Sequence, residues 1–315
     1  MIVMEDNFKS FLPYKTFVAL GSFDGIHLGH TNLIHKNIEL SKQYNAKSMI
    51  FTFKNHPLTT INKELAPKLI MDNETKLTVL QNMGIDIVNM PVFDEDFMKI
   101  SPDEFVVSLI RHYNVIGIIA GFNYRFGYKN LGDIELLKKL SSQYGFSFIC
   151  IPPVKYKGDV VSSSKIRNLI SDEGDIKKAN IMLTRPFMLK GSIIEGNKIG
   201  RTINFPTINL DYNKDCILPK GGVYYSNVKY NGILYKAITN VGFNPTVHNN
   251  KLSIETHILN FDKNIYGEYV TVYFIKKIRD EKKFNSLKEL KYQLTADKKY
   301  ADGQKINLQT CFNLL

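Results

Sequence analysis

Gly21-Ser22-Phe23-Asp24-Gly25-Ile26-His27-Leu28-Gly29-His30 follows an apolar run at residues 16–20 and precedes a helical pattern carried by Leu33, Ile34 and Ile38. The order is strand, glycine-rich turn, helix start, with two histidines three residues apart. Glycines at 21, 25 and 29 let backbone N–H groups approach an anion closely, and a helix N-terminus adds unpaired donors and the positive end of its dipole. The stretch therefore reads as a phosphate-handling site. It is not a P-loop, because Gly-x-x-x-x-Gly-Lys-Ser/Thr is absent, nor the Gly-x-Gly-x-x-Gly of a dinucleotide fold. What remains is His-x-Gly-His. Two histidines capping a helix or filling a core is the plain alternative, and the strand-turn-helix setting favours the phosphate site.

Outward from this turn the chain shows two rhythms. Strand-like runs at 16–20, 47–53, 85–92, 115–120 and 146–151 alternate with helical patterns, among them 73–83, which ends at Gly84, and the capped start Ser101-Pro102-Asp103-Glu104. Alternation of this kind predicts a Rossmann-like α/β domain with a parallel sheet, its ligands at the carboxyl ends of the strands. After residue 184 short runs at 187–194, 222–230, 233–240, 253–259 and 269–274 are separated by Gly, Asn and Pro. This spacing predicts an antiparallel β-barrel or sandwich, closed by an amphipathic helix near 286–294. The domains expected are 1–183 and 184–315.

Composition bounds the function. At 315 residues, 44% hydrophobic and 23% charged, the chain has material for two globular cores. Cys150, Cys216 and Cys311 are widely separated and lack Cys-x-x-Cys spacing, so neither a disulfide framework nor a zinc site is expected. The start Met1-Ile2-Val3-Met4-Glu5-Asp6 lacks a cationic signal-peptide opening, and no apolar run reaches membrane-spanning length, so a cytoplasmic protein without a membrane partner is expected. The net charge of +11 invites a nucleic-acid reading. The lysines are dispersed in pairs rather than gathered in a block, which argues for a solvated surface and no nucleic-acid partner.

Several segments carry a family resemblance. The Phe-Asp-Gly-x-His-x-Gly-His stretch resembles the nucleotidylyltransferase signature in its FAD synthetase branch, where ATP adenylylates FMN. Phe51-Thr52-Phe53-Lys54-Asn55-His56-Pro57 is similar to the family's segment after the second strand, with Asn55 where the family has proline. Gly121-Phe122-Asn123-Tyr124-Arg125-Phe126-Gly127 resembles its flavin and nucleotide loop, and Val161-Ser162-Ser163-Ser164-Lys165-Ile166-Arg167 its Ser-Ser-Thr-x-Ile-Arg segment. The resemblance implies that His27 and His30 stabilise charge on the ATP phosphates with Arg167. It further implies phosphate contacts at Gly21, Phe23, Asp24, Gly25, Gly29, Ser163 and Ser164, and flavin contacts at His56, Asn123 and Arg125. Phe122 and Phe126 either stack on planar rings or belong to the core.

Downstream, Gly196-Asn197-Lys198-Ile199-Gly200-Arg201-Thr202-Ile203-Asn204-Phe205-Pro206-Thr207-Ile208-Asn209 resembles the riboflavin kinase loop ending in Pro-Thr-Ala-Asn, with Ile208 in place of alanine. Asn240-Val241-Gly242-Phe243-Asn244-Pro245-Thr246 and Ile254-Glu255-Thr256-His257 resemble the kinase's Asn-x-Gly-x-x-Pro-Thr loop and Glu-x-His strand. The resemblance implies Gly196, Gly200, Arg201 and Thr202 on ATP, Thr207 and Asn209 on Mg²⁺, Asn240 on the flavin, and Glu255 as the base for the ribityl hydroxyl. A strand glutamate facing solvent is the plain alternative for Glu255.

The resemblance spans residues 14–300 and is to bifunctional prokaryotic riboflavin kinase/FAD synthetases. It implies riboflavin, FMN, FAD and ATP as substrates or products, Mg²⁺ for both steps, and small molecules as the partners; a homo-oligomer is left open. Two other readings remain at this point. One is a nucleotidylyltransferase acting on nicotinate mononucleotide or phosphopantetheine with an accessory barrel, against which Thr207, Asn209 and Glu255 together argue. The other is a basic, non-enzymatic RNA-binding protein, which the dispersed lysines disfavour.

Overall fold

The computed structural model describes residues 1–196, 205–243 and 252–306. Two compact units divide it: Met1–Lys68 with Asn73–Ser162, and Leu69–Asp72 with the described residues from Ser163 onward.

The first unit is a six-stranded parallel sheet. Strand β1 (Ile2–Met4) is followed by β2 (Thr16–Leu20), helix α1 (Leu28–Gln43), β3 (Lys47–Phe51), the short α2 (Pro57–Ile61), α3 (Asn73–Asn82), β4 (Ile87–Asn89) and α4 (Glu95–Met98). Helix α5 (Pro102–Tyr113), β5 (Val115–Gly121), α6 (Ile134–Tyr144), β6 (Ser147–Ile151) and a hairpin of β7 (Lys155–Tyr156) and β8 (Asp159–Val160) complete it. The strand order is β1-β4-β3-β2-β5-β6. All five residues of β2 are buried, as expected of a central parallel strand covered on both faces. Helix α5 starts as the sequence predicts: Ser101 and Glu104 form a reciprocal capping box, Pro102 fills the first turn, and Asn114 ends it in the left-handed conformation. β1 escapes the periodicity argument because three residues carry no pattern; it is held as an edge strand by parallel pairing with β4. The second and third sequence-predicted strands are shorter than expected, since the chain turns out of the sheet after Phe51 and after Asn89.

The second unit begins with α7 (Ser163–Asn168) and α8 (Ile176–Leu183), followed by β9 (Phe187–Ile194), β10 (Ile208–Tyr212), β11 (Gly222–Tyr230), β12 (Ile233–Phe243), β13 (Leu252–Ile258), β14 (Tyr269–Arg279) and α9 (Leu287–Asp302). The strands close into an antiparallel barrel in the order β10-β13-β12-β11-β14-β9. The sixth strand, β10, is the one the sequence reading did not mark. Helix α8 packs with the barrel because the Asn180 amide donates to the Phe274 carbonyl (2.8 Å) while its oxygen accepts from the Phe187 N–H (2.7 Å). Segment 69–72 belongs here too: the Leu69 N–H donates to the Asp215 carbonyl and the Ile217 N–H to the Leu69 carbonyl, both at 2.8 Å. Inside the barrel, hydroxyls satisfy one another along Ser226, Thr239 and Thr256 at 2.7 and 2.9 Å. Helix α9 docks through a forked pair between the Arg279 guanidinium and the buried Asp297 carboxylate, the shortest contact being 2.8 Å. It runs a full two turns beyond the end expected from sequence. Cys216 is buried and Cys150 half-buried; Cys311 lies outside the described residues.

One polar knot fixes the N-terminal segment of the first unit. The buried Tyr113 hydroxyl donates to the Asp6 carboxylate (2.7 Å) and accepts from the Asn89 amide (3.0 Å) and the Phe8 N–H (3.1 Å). Tyr113→Phe takes this hydroxyl from the buried Asn89 amide and from the half-buried Asp6 carboxylate and Phe8 N–H, which costs about 0.5–1.5 kcal/mol. A lower urea midpoint for the sheet unit with an unchanged slope is the expected result.

Candidate active sites

In the sheet unit, β2 lies between β3 and β5, and the order of connection reverses across the β2/β5 pair. This is the switch point at which open parallel sheets bind ligands. The segments following β2, β3 and β5 leave the same edge of three adjacent parallel strands, so the structure brings together the glycine turn, the 52–56 segment and the 121–127 loop. The turn is strained: Phe23 (φ +49°), Gly25 (φ +82°) and Ile26 (φ +37°) all occupy the left-handed region. Two of these are not glycine, at about 1–2 kcal/mol each. Phe23, Asp24, Ile26 and His27 are all buried, which lets packing hold the conformation. The Ser22 carbonyl accepts two bonds from other elements, the Thr52 hydroxyl at 3.0 Å and the Lys76 ammonium of α3 at 3.2 Å. Burial pushes the Lys76 ammonium down from its ordinary value, and the nearby Asp24 carboxylate opposes that shift.

His27 is the N-cap of α1; its Nδ1 accepts from the His30 N–H at 3.4 Å. A neutral ring that accepts at Nδ1 carries its proton on Nε2, so His27 presents a donor. The two imidazoles stack with centroids 3.8 Å apart and planes 15° from parallel. A Cβ on Gly29 would press on the His27 ring at 3.2 Å, so the glycine in His-x-Gly-His makes room for that ring.

His56 caps α2, its Nδ1 accepting from the Leu58 N–H at 3.2 Å. The preceding Asn55, which replaces the family's proline, clamps the Phe93 backbone: its amide donates to the carbonyl (3.0 Å) and its oxygen accepts from the N–H (2.8 Å). Asn123 and Phe122 are exposed, whereas Phe126 is core and stacks on Tyr124. Arg125 lies at the surface in an ion pair with Asp133 at 3.1 Å. Ser163, Ser164 and Arg167 lie on α7, in the second unit.

In the barrel, strand register does the assembling. Asn209 of β10 pairs with Glu255 of β13, and Glu255 pairs with Asn240 of β12. Directly opposed residues share a face with Cβ atoms about 5 Å apart, so Asn209, Glu255 and Asn240 form one polar row. Thr239 and Thr256, one step along, belong to the buried hydroxyl chain inside. Burial raises the Glu255 carboxyl above its ordinary value. Gly196 packs so tightly on the Asn209 amide that a Cβ there would collide with it. A cavity of about 480 Å³ opens beside Pro206 and Thr207, walled by Thr256 and Ile258 of β13 and by residues 261–266. His257, two residues beyond Glu255, shares a 2.8 Å hydrogen bond between its Nδ1 and the Pro206 carbonyl, and so braces the turn carrying Thr207. Gly200, Arg201 and Thr202, and the loop Asn244-Pro245-Thr246, lie outside the described residues.

Three residues beside these sites had no sequence signal of their own. Lys76 looks like one more helix-surface lysine, and Thr52 and His257 stand in motifs whose weight falls on other residues.

Comparison with known proteins gives the family. A family model described as FAD synthetase matches residues 11–165, and one described as riboflavin kinase matches residues 183–304. The bifunctional riboflavin kinase/FMN adenylyltransferase of Buchnera aphidicola subsp. Acyrthosiphon pisum is 37% identical over 289 residues, 90% of this chain and 91% of its own. Those of Bacillus subtilis and Escherichia coli K12 are 33% and 32% identical over 91% and 89% of this chain and 92% and 90% of theirs. A crystal structure titled macrolide-efflux protein from Streptococcus pneumoniae superposes with a TM-score of 0.87 at 30% identity, covering 96% of this chain and 99% of that one. With both family models matched in order and relatives aligned along nearly their whole length, the chain belongs to the bifunctional riboflavin kinase/FMN adenylyltransferases, which turn riboflavin into FMN and FMN into FAD at the expense of ATP.

Proposed function

We propose that the two reactions are divided between residues 1–183, which adenylylate FMN, and residues 184–315, which phosphorylate riboflavin, with the residue roles given below. The observation that carries the reading is the barrel row Asn209, Glu255 and Asn240. Three polar residues from three sequence segments, each singled out on other grounds, converge through strand register alone.

In riboflavin phosphorylation Glu255 takes the proton of the ribityl hydroxyl as that oxygen bonds to the γ-phosphorus of ATP and ADP leaves. Its desolvated carboxylate holds a proton more readily than a solvated one, which suits a base for a weakly acidic alcohol. Asn240 orients the flavin beside it. The Thr207 hydroxyl and the Asn209 amide oxygen are hard oxygen donors of the kind Mg²⁺ prefers, and the ion, when bound, neutralises phosphate charge. Gly196, Gly200, Arg201 and Thr202 contact the ATP phosphates.

In adenylyl transfer the FMN phosphate attacks the α-phosphorus of ATP and pyrophosphate departs. No base is needed, because the nucleophile is already an anion; the task is to steady the charge on the leaving group. His27 and His30 donate to phosphate oxygens. The glycines at 21, 25 and 29 let the backbone approach, with Phe23 and Asp24 shaping the turn. His56, Asn123 and Arg125 contact the flavin; the exposed Asp133 pair is weak enough for Arg125 to exchange. Both reactions use small soluble substrates, and we place the protein in the cytoplasm.

Three outcomes are expected when riboflavin or FMN is incubated with ATP and Mg²⁺ and the products are resolved by chromatography. Glu255→Gln lowers FMN formation by about 10²–10⁴-fold while FAD formation from supplied FMN continues; loss of both would refute the division of labour. Replacing His27 and His30 with Ala makes FMN accumulate, with FAD formation down by about 10²-fold or more. Asn209→Ala raises the Mg²⁺ concentration needed for half-maximal FMN formation and leaves the Mg²⁺ dependence of FAD formation unmoved.

A further inference from the structure

Among the described residues, Lys76 is a buried cation beneath the glycine turn that none of the assigned roles uses. It is 5% exposed, on the face of α3 that also buries Thr75, Val79 and Leu80. Lysine is seldom buried unless a partner compensates it. Among the described residues its ammonium makes one hydrogen bond, to the Ser22 carbonyl at 3.2 Å. Ser22 immediately precedes the run in which Phe23, Gly25 and Ile26 adopt left-handed backbone, and that run delivers Asp24 and His27. The same carbonyl accepts the Thr52 hydroxyl at 3.0 Å. The start of the strained run is therefore held from two sides, by the end of β3 and by α3. A methionine has nearly the same length and would fill this space without the desolvation cost of an ammonium, and replacing a buried charge by a hydrophobe of similar volume is often neutral or stabilising. Packing alone does not account for a lysine here; a cation aimed at a backbone carbonyl beneath the turn does.

We propose that Lys76 is a positioning residue for adenylyl transfer: by holding the Ser22 carbonyl from beneath, with Asp24 as its counter-charge, it keeps the strained turn in the conformation that aims His27 and the backbone N–H groups at the ATP phosphates. The proposal rests on the reading of this turn as the ATP site. Lys76 touches no reacting atom and acts through the turn, so its removal weakens the transition state more than the ground state and lowers kcat rather than raising KM.

The test uses the full-length protein, with FAD formation from FMN and ATP measured beside FMN formation from riboflavin. Lys76→Met is expected to lower kcat for FAD formation at least 30-fold, to change KM for FMN and ATP less than about 3-fold, and to leave FMN formation and the melting temperature unchanged. Lys76→Arg, which keeps a donor and the charge, should recover part of the lost rate. An unaltered kcat in Lys76→Met overturns the proposal. So does a loss confined to KM for ATP, which would make Lys76 a direct ligand of the nucleotide. Should Lys76→Met not fold, Thr52→Val removes the other donor on the same carbonyl, and a full rate of FAD formation there overturns the proposal as well. Wild-type protein that forms no FAD overturns this inference together with the reading of the turn, whereas active wild type with fully active Lys76→Met overturns the inference alone.

Discussion

The register of β10 is the constraint on which the second half of the molecule hangs. Five residues close the barrel by pairing with β9 on one side and β13 on the other. Side chains alternate with a period of two, so a slip of one residue would turn Asn209 to the opposite face and bring Ile208 or Leu210 beside Glu255. Closure and the polar row are one event. Gly196 reinforces it, because only a residue without a Cβ lets the end of β9 lie against the Asn209 amide. A strand that short contributes little pairing energy of its own and is fixed by neighbours on both sides.

The two units solve related problems by different physics. On the proposed roles, both place polyphosphate next to an acceptor oxygen. The sheet unit does so with backbone and ring donors at the carboxyl end of a buried strand, in a turn whose unfavourable dihedral angles are overruled by burial and by the bonds on the Ser22 carbonyl. The barrel unit does so on regular strands, where register places a carboxylate between two amides without backbone strain. The first arrangement suits a nucleophile that arrives charged, the second an alcohol that must lose a proton.

Much of this was legible in the sequence because periodicity and turn chemistry are local. The run 16–20 with its glycine turn announced β2 and the start of α1, and Ser101-Pro102-Asp103-Glu104 announced the start of α5 to the residue. Legibility failed where three-dimensional pairing decides. β1 is too short to show a pattern; β10, Ile208-Asn209-Leu210-Asp211-Tyr212, does alternate, but it runs straight on from the glycine-rich motif and its strand character is decided by pairing with β9 and β13. Lys76 could not be told from a surface lysine, since its distinguishing property, a carbonyl on the far side of the turn, is a long-range contact. Phe126 and Phe122 carry the same side chain in one loop, yet the first is core and the second exposed; only packing separates them. Helix α8 is tied to the barrel by the bonds of Asn180 to Phe187 and Phe274, a long-range contact that no local pattern announces.

Closure of the barrel also divides the chain by its susceptibility to self-association. A closed ladder has no strand edge, so the described strands of the barrel offer no row of unpaired backbone groups on which another chain could template. The parallel sheet ends in two edges, β1 and β6. With three residues, β1 is too short to nucleate pairing, whereas β6, Ser147–Ile151, carries Phe148, Ile149, Cys150 and Ile151 in an unbroken apolar run. When heat or crowding loosens this protein, intermolecular β-pairing begins at β6, and a charge placed on that edge is the economical way to keep it soluble.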